Sequence, residues 1–307
     1  MQIVSLLPSA TEIVYALGLG DCLAAVTHEC DYPPAALNKP RITRSALPAD
    51  LSTAEIDAAV REQIGGTHSL YNIDGTRLAA IAPDIILTQK LCAVCAVSYD
   101  TVLEAVGALP KRPCLVNLEP TTLAGVWATI LQVGEVTGRI AEAAQLTDSL
   151  RARVSAVRDR AASAESRPRT VLLEWLDPLF CGGHWDPELV EIAGGFDGLG
   201  KMHKPSTQIS WDSIREFAPE VLVVAQCGFG TARTLLDMAG FQERPGVWEI
   251  PAVQSGQVYV VNGSDYFSRP GPRLADSLEM LASLIHPALF GTLRDDPAKT
   301  IRWDPQL

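Results

Sequence analysis

The chain has 307 residues, enough for two α/β lobes with separate cores, since single cores stop growing at roughly 250–300 residues. Hydrophobic residues make up 47% and charged residues 20%, the balance of a globular protein without a long disordered tract. A net charge of −11, with 25 basic residues forming no stripe, argues against a nucleic-acid partner, because phosphate binding needs concentrated Lys and Arg.

In chain order, the run Gln2 to Leu7 reads as a first strand and leads into a helix. There Ser9 is the expected N-cap and Glu12, three residues on, closes a capping box. That helix ends at Gly18, before Asp21. Ala82-Pro83-Asp84 then opens the apolar strand Ile85 to Gln89. From Thr121 to about Ala164, apolar residues recur near helical spacing, from Leu123, Val126 and Trp127 to Val154 and Val157. We expect one long helix there, roughly 60 Å at 1.5 Å per residue, weakened at Gly134 and Gly138.

After it the plan repeats. Val171 to Trp175 is a strand, a longer loop follows, and Asp186 caps a helix with Pro187 at its first position. Glu188 to Asp197 matches the frame of Glu12 to Asp21, and Ala218-Pro219-Glu220 opens the run Val221 to Gln226 as Ala82-Pro83-Asp84 opens its own. A repeat of one pattern at so long a period implies two similar α/β lobes with central sheets. The expected division is residues 1–120, a helical link 121–164, and residues 165–307. A crevice between two such lobes is a favoured place for a ligand.

Ser5 to Glu12, Ala82 to Leu87, the linker helix and Ala218 to Val224 together resemble the helical-backbone (class III) periplasmic-binding proteins, from residue 2 to about residue 290. Within them the cobalamin-binding members are the most similar. The resemblance implies a substrate-binding component of an ABC importer that holds cobalamin in the interlobe crevice as cargo. It implies no catalytic cofactor, a monomer, and a permease as partner. Transporter-coupled members dock through an exposed Glu on each lobe; here Thr76 and Phe196 stand at those positions, with Asp74 and Asp197 beside them.

The crevice is expected to be lined by loops after the strand carboxyl ends. Six of the 19 aromatic residues, Tyr32, Trp175, Trp185, Phe229, Tyr266 and Phe267, fall in those loops, where small polar types are the norm. Aromatic walls suit a flat macrocycle edged with amides, which describes a corrinoid. Ser9 and Arg269 are the polar candidates, Arg269 facing an anionic group of the ligand or a neighbouring carboxylate. His28 and His184 also lie in crevice loops, and for each a hydrogen-bonded loop histidine is the more frequent role than a metal contact.

Two alternatives stand beside this reading. Cys92 and Cys95 form a C-x-x-C and, with Cys30 and Cys227, supply four thiols for zinc or an iron–sulfur cluster; buried packing is the commoner role of free cysteines. The same scaffold could also carry haem or a siderophore. No nucleophile elbow, phosphate-binding loop or zinc-protease motif occurs, so a binding protein is expected, not an enzyme. No segment reaches the ~18 apolar residues of a membrane helix. The odd count of seven cysteines fits a reducing compartment. The expectation is cytoplasmic if Met1 is the native start, and periplasmic or cell-surface if a leader is removed.

Overall fold

The computed structural model describes residues 1–48, 51–64, 70–90, 97–293 and 296–304. The chain divides into two compact units, residues 1–120 with 124–148, and residues 121–123 with 149–307. The first contains β1 (Ile3–Ser5), α1 (Pro8–Ala16), β2 (Leu23–Ala25), β3 (Thr43–Ser45), α2 (Thr53–Ile64), β4 (Tyr71–Ile73), α3 (Gly75–Ile81), β5 (Ile85–Thr88), α4 (Tyr99–Gly107) and β6 (Cys114–Asn117). Its parallel sheet runs β2-β1-β5-β6. All four residues of β5 are buried, as expected where helices cover both faces of a parallel sheet. Val4, Leu6, Ile42, Leu78, Ile86 and Val102 form its core.

Residues 121–164 hold two helices, α5 (Leu123–Thr137) and α6 (Ile140–Ala161), where one was expected. Gly138 adopts φ +73°, its amide bonds to Glu135 O at 3.2 Å, and that of Arg139 bonds to Gly134 O at 2.7 Å. This is a glycine-ended helix stop, whose left-handed residue costs glycine little. A Cβ on Gly134 would lie 2.3 Å from Ala143 Cβ, so the second glycine lets the start of α6 pack directly on α5.

The second unit continues with β7 (Thr170–Leu176), β8 (Leu179–Cys181), β9 (Gly183–His184), α7 (Asp186–Ile192), β10 (Lys201–Met202), β11 (Thr207–Gln208), α8 (Trp211–Phe217), β12 (Val221–Val224), α9 (Thr231–Gln242), α10 (Pro251–Gln254), β13 (Val258–Val261), α11 (Gly263–Tyr266), α12 (Leu274–Ile285), α13 (Pro287–Phe290) and β14 (Thr300–Arg302). Its sheet runs β11-β8-β7-β12-β13-β14. β7, β12 and β13 are parallel, while β8 and β14 flank them antiparallel. The longer loop expected after β7 is therefore partly a strand, β8, which pairs with β7 where β2 pairs with β1 in the first unit, with β11 beyond it at the edge.

The internal repeat is visible down to single hydrogen bonds. α1 ends with Gly18 N bonded to Tyr15 O and Leu19 N to Val14 O, and α7 with Gly194 N bonded to Glu191 O and Gly195 N to Val190 O. Both glycines are left-handed, at φ +72° and +89°, the pattern of a Schellman stop. α3 and α8 end on Ala82 and Ala218, at φ +47° and +49°, because the proline that follows disfavours a further right-handed turn. Asp84 then accepts Gln2 N, and Glu220 accepts Arg169 N, each at 2.9 Å.

Two caps differ from expectation. α1 starts at Pro8 after Leu7, and Ser9 makes no capping bond. α7 starts at Asp186, so Pro187 is its second residue. A proline, with no N–H to satisfy, fits the first turn of a helix and draws the start of α1 ahead of the serine.

Candidate functional site

In the second unit, Glu174 and Trp175 lie in the carboxyl-terminal part of β7, while β12 and β13 lead into Gln226–Phe229 and the stretch from Asn262 to Arg269. Trp175 and Phe229 stack with ring centroids 5.2 Å apart. The Arg233 guanidinium lies 4.7 Å over the other ring of that pair, Phe229. Asp237 holds the arginine in place, its Oδ1 accepting from Arg233 Nη1 at 2.7 Å while its Oδ2 accepts from Gln226 Nε2 at 2.7 Å. Trp175 is itself tied by Nε1 donating to Asp177 O at 3.0 Å. Indole, phenyl and guanidinium thus form a half-buried three-layer stack whose orientation is set at both ends.

Beside it, Asn262 caps α11 by accepting Asp265 N at 2.9 Å. Arg269 and Arg273 are both buried, and they flank the Asp265 carboxylate at 3.9 and 3.8 Å. Arg273 also lies 5.5 Å over the half-buried Tyr266 ring, whose hydroxyl is pushed up mainly by burial. Phe267 is 1% exposed and Trp185 6%, with Trp185 Nε1 donating to Phe267 O at 2.9 Å. These two aromatics are packing beneath the edge, and Trp175, Phe229 and Tyr266 are the ones with accessible surface. Cutting either ring back to alanine would therefore leave a cavity in the packing of this unit.

His184 has φ +50° and its ring sits 5.5 Å from that of Trp185. Burial pushes its pKa down, against the opposing pull of Glu174. The surrounding sequence carries the carboxyls of Glu174, Asp186 and Asp197. Glu174 accepts Gly183 N at 2.9 Å and the Ser206 hydroxyl. Asp186 is 2% exposed, and burial raises its pKa well above the ordinary aspartate value. Asp197 accepts Leu199 N at 3.0 Å and Gly200 N at 2.7 Å.

In the first unit, the described part of the carboxyl edge includes the turn after β1 and the segment from Thr27 to Tyr32 that follows β2. Ser9 is buried inside α1, and Tyr32 is 45% exposed. Cys30 is fully buried, its Sγ 3.1 Å from both Thr11 Oγ1 and Thr27 Oγ1, and Arg41 Nη1 donates to Thr27 O at 2.6 Å. His28 Nδ1 meets Thr43 Oγ1 at 2.8 Å, and burial, then Arg41, pushes its pKa down.

Cys92 and Cys95 lie outside the described residues. Cys30 and Cys227 belong to different units, and among the described residues no three His, Cys, Asp or Glu side chains are grouped to hold a metal ion. At the positions beside the expected docking glutamates, Asp74 and Asp197 each accept main-chain amides. Asp74 caps α3 by accepting Arg77 N at 2.9 Å, and Asp197 is committed to the amides of residues 199 and 200. Phe196 is 47% exposed. Among the described residues no helix is long and apolar enough to cross a membrane.

Sequence reasoning missed Arg233, Asp237 and Arg273, and assigned Asp186 only a capping role. Arg233 and Asp237 stand four apart on α9, a spacing that signals an ion pair, but nothing local says that the pair backs an aromatic ring.

These features define a ligand-binding protein built from two α/β units. A family model described as periplasmic binding protein matches residues 3–264, and the chain belongs to that family. The vitamin B12-binding protein of Vibrio cholerae serotype O1 is 25% identical over 295 residues, covering 92% of this chain and 88% of that one. Among solved structures, the periplasmic vitamin B12 binding protein of Vibrio cholerae superposes with a TM-score of 0.67 at 23% identity, over 94% of this chain and 97% of that one. A periplasmic heme binding protein from Pseudomonas aeruginosa gives 0.72 at 18% identity, over 94% and 93%.

Proposed function

We propose that this protein binds a corrinoid, with cobalamin as the ligand, and acts as the capture component of an importer without catalysing a reaction. The observation that carries the reading is the Trp175–Phe229–Arg233 stack. It offers a broad, pre-oriented face at the carboxyl edge of β7 and β12, so less ordering cost opposes binding of a flat macrocycle. Tyr266, Arg269 and Arg273 add polar groups to meet the amide and phosphate periphery of such a ligand. The similarity to vitamin B12-binding relatives over 92% of the chain supports the same choice. In this reading the protein works outside the cytoplasmic membrane, with a permease as its partner.

Titration with cyanocobalamin, followed by tryptophan quenching and calorimetry, is expected to give saturable one-to-one binding. Trp175→Ala and Phe229→Ala should each weaken it about tenfold or more, the loss of roughly 1.4 kcal/mol or more of aromatic contact. Saturable binding of hemin, with none of cyanocobalamin, would replace the corrinoid reading with a haem reading on the same edge.

A further inference from the structure

We propose that Asp237 is a positioning residue for ligand capture, holding Arg233 over Phe229 so that the Trp175–Phe229 face is set before a ligand arrives. This rests on the reading of that stack as the ligand-facing surface. Asp237 stands on α9 with its side chain 14% exposed. Each oxygen of its carboxylate accepts one bond, Oδ1 from Arg233 Nη1 and Oδ2 from Gln226 Nε2, both at 2.7 Å. Gln226 opens the turn that carries Phe229 and is fully buried, so one end of the tie is fixed inside the fold. The other end sets the guanidinium 4.7 Å over the Phe229 ring.

The helix alone gives no reason for this arrangement. Arg233 lies in the first turn of α9, where the helix dipole favours an acid and none stands. The pair also runs Arg then Asp, the weaker order for charges four residues apart. The arginine is therefore slightly unfavourable to α9, and what the pair supplies is a fixed guanidinium.

Main-chain bonds hold the turn without fixing its side chains. Cys227 N donates to Glu174 O at 3.0 Å, Phe229 N to Gln226 O at 3.1 Å and Ser264 N to Phe229 O at 3.1 Å, while α9 is anchored by the buried Met238 and Phe241. None of these contacts sets the side-chain torsions of Arg233. Without its carboxylate the arginine regains rotamers that binding must freeze, a cost of about two- to tenfold in affinity for one long side chain.

Asp237→Asn isolates the charge. When the Gln226 amide turns over, the new Asn amide donates to Gln226 Oε1, a buried oxygen with no partner among the described residues. The buried contact is kept, and the charge-assisted bond to Arg233 becomes a weaker neutral one.

Cyanocobalamin titrations of wild type, Asp237→Asn, Phe229→Ala and the double variant form a cycle that tests the proposal. Asp237→Asn is expected to weaken binding about two- to tenfold, and that loss should vanish when Phe229 is already alanine. An unchanged affinity, or the same loss in both backgrounds, would overturn the positioning role. Proton NMR of the Trp175 indole N–H, identified by its absence in Trp175→Phe, supplies a readout without ligand. The Phe229 ring is 5.2 Å away, so in Asp237→Asn the resonance should move toward its position in Phe229→Ala, while that of the exposed Trp248 stays in place. A Trp175 resonance that keeps its wild-type position would also overturn the role. If the wild-type protein binds no cyanocobalamin, the corrinoid reading falls and the indole resonance alone decides the part played by Asp237.

Discussion

The turn between β1 and α1 and the turn between β7 and α7 are built on one backbone plan and filled with different chemistry. Both helices stop on a left-handed glycine with the same two hydrogen bonds. Both strands take their first ladder partner from the run after an Ala-Pro-acid stop, Ile3 on Ile85 and Thr170 on Val221. Yet Ser5, Thr11 and Cys30 meet as neutral groups in the first unit, while in the second the carboxylates of Glu174 and Asp197 accept main-chain amides and Asp186 is buried. Main-chain bonding and two special φ values maintain the shared plan. The polar groups beneath it are free to diverge, provided that each buried one finds a partner or a proton.

Substitutions at paired positions would break or sharpen this contrast. The largest gap should come from edge aromatics. Phe267→Ala should cost about 3–5 kcal/mol, because it removes a buried ring, whereas Tyr32→Ala in the first unit should stay within about 0.5 kcal/mol; denaturant melts would show the difference.

Next in size are the two stop glycines. Gly18→Ala should cost about 1–2 kcal/mol, the strain of a left-handed alanine, since no atom lies within 4 Å of the added Cβ. Gly194→Ala should cost more, because its Cβ would fall 2.7 Å from His286 Nε2 and 3.2 Å from Ala161 Cβ. Equal losses in melting temperature would show that the second unit yields at that contact. The smallest effect is a gain: Ala82→Gly and Ala218→Gly relieve left-handed alanine at an entropic cost, for a net stabilisation of up to about 1 kcal/mol each. Opposite signs in the two melts would mean that the stops are not equivalent.

The fold was largely legible because its signals are local. Burial on both faces makes β5 and β12 continuous apolar runs, and Gly18, Gly194 and the two Ala-Pro pairs mark where helices must stop. The break at Gly138 was less legible, since apolar spacing continues through it; the stop depends on a φ that spacing does not encode. The site was read in part. Trp175 lies in β7 and Tyr266 in α11 where loops were expected, burial separated Trp185 and Phe267 from Trp175, Phe229 and Tyr266, and sequence carries no measure of which ring ends up covered.

By itself the sequence determined the two-unit α/β plan and the internal repeat, because strand and helix periodicity and proline and glycine stops act over a few residues. Only the tertiary structure decided that β8 returns along β7, that Arg233 backs Phe229, and that Asp186 is enclosed. Those outcomes depend on desolvation and on contacts between segments distant in sequence, and neither is written in any short window of residues.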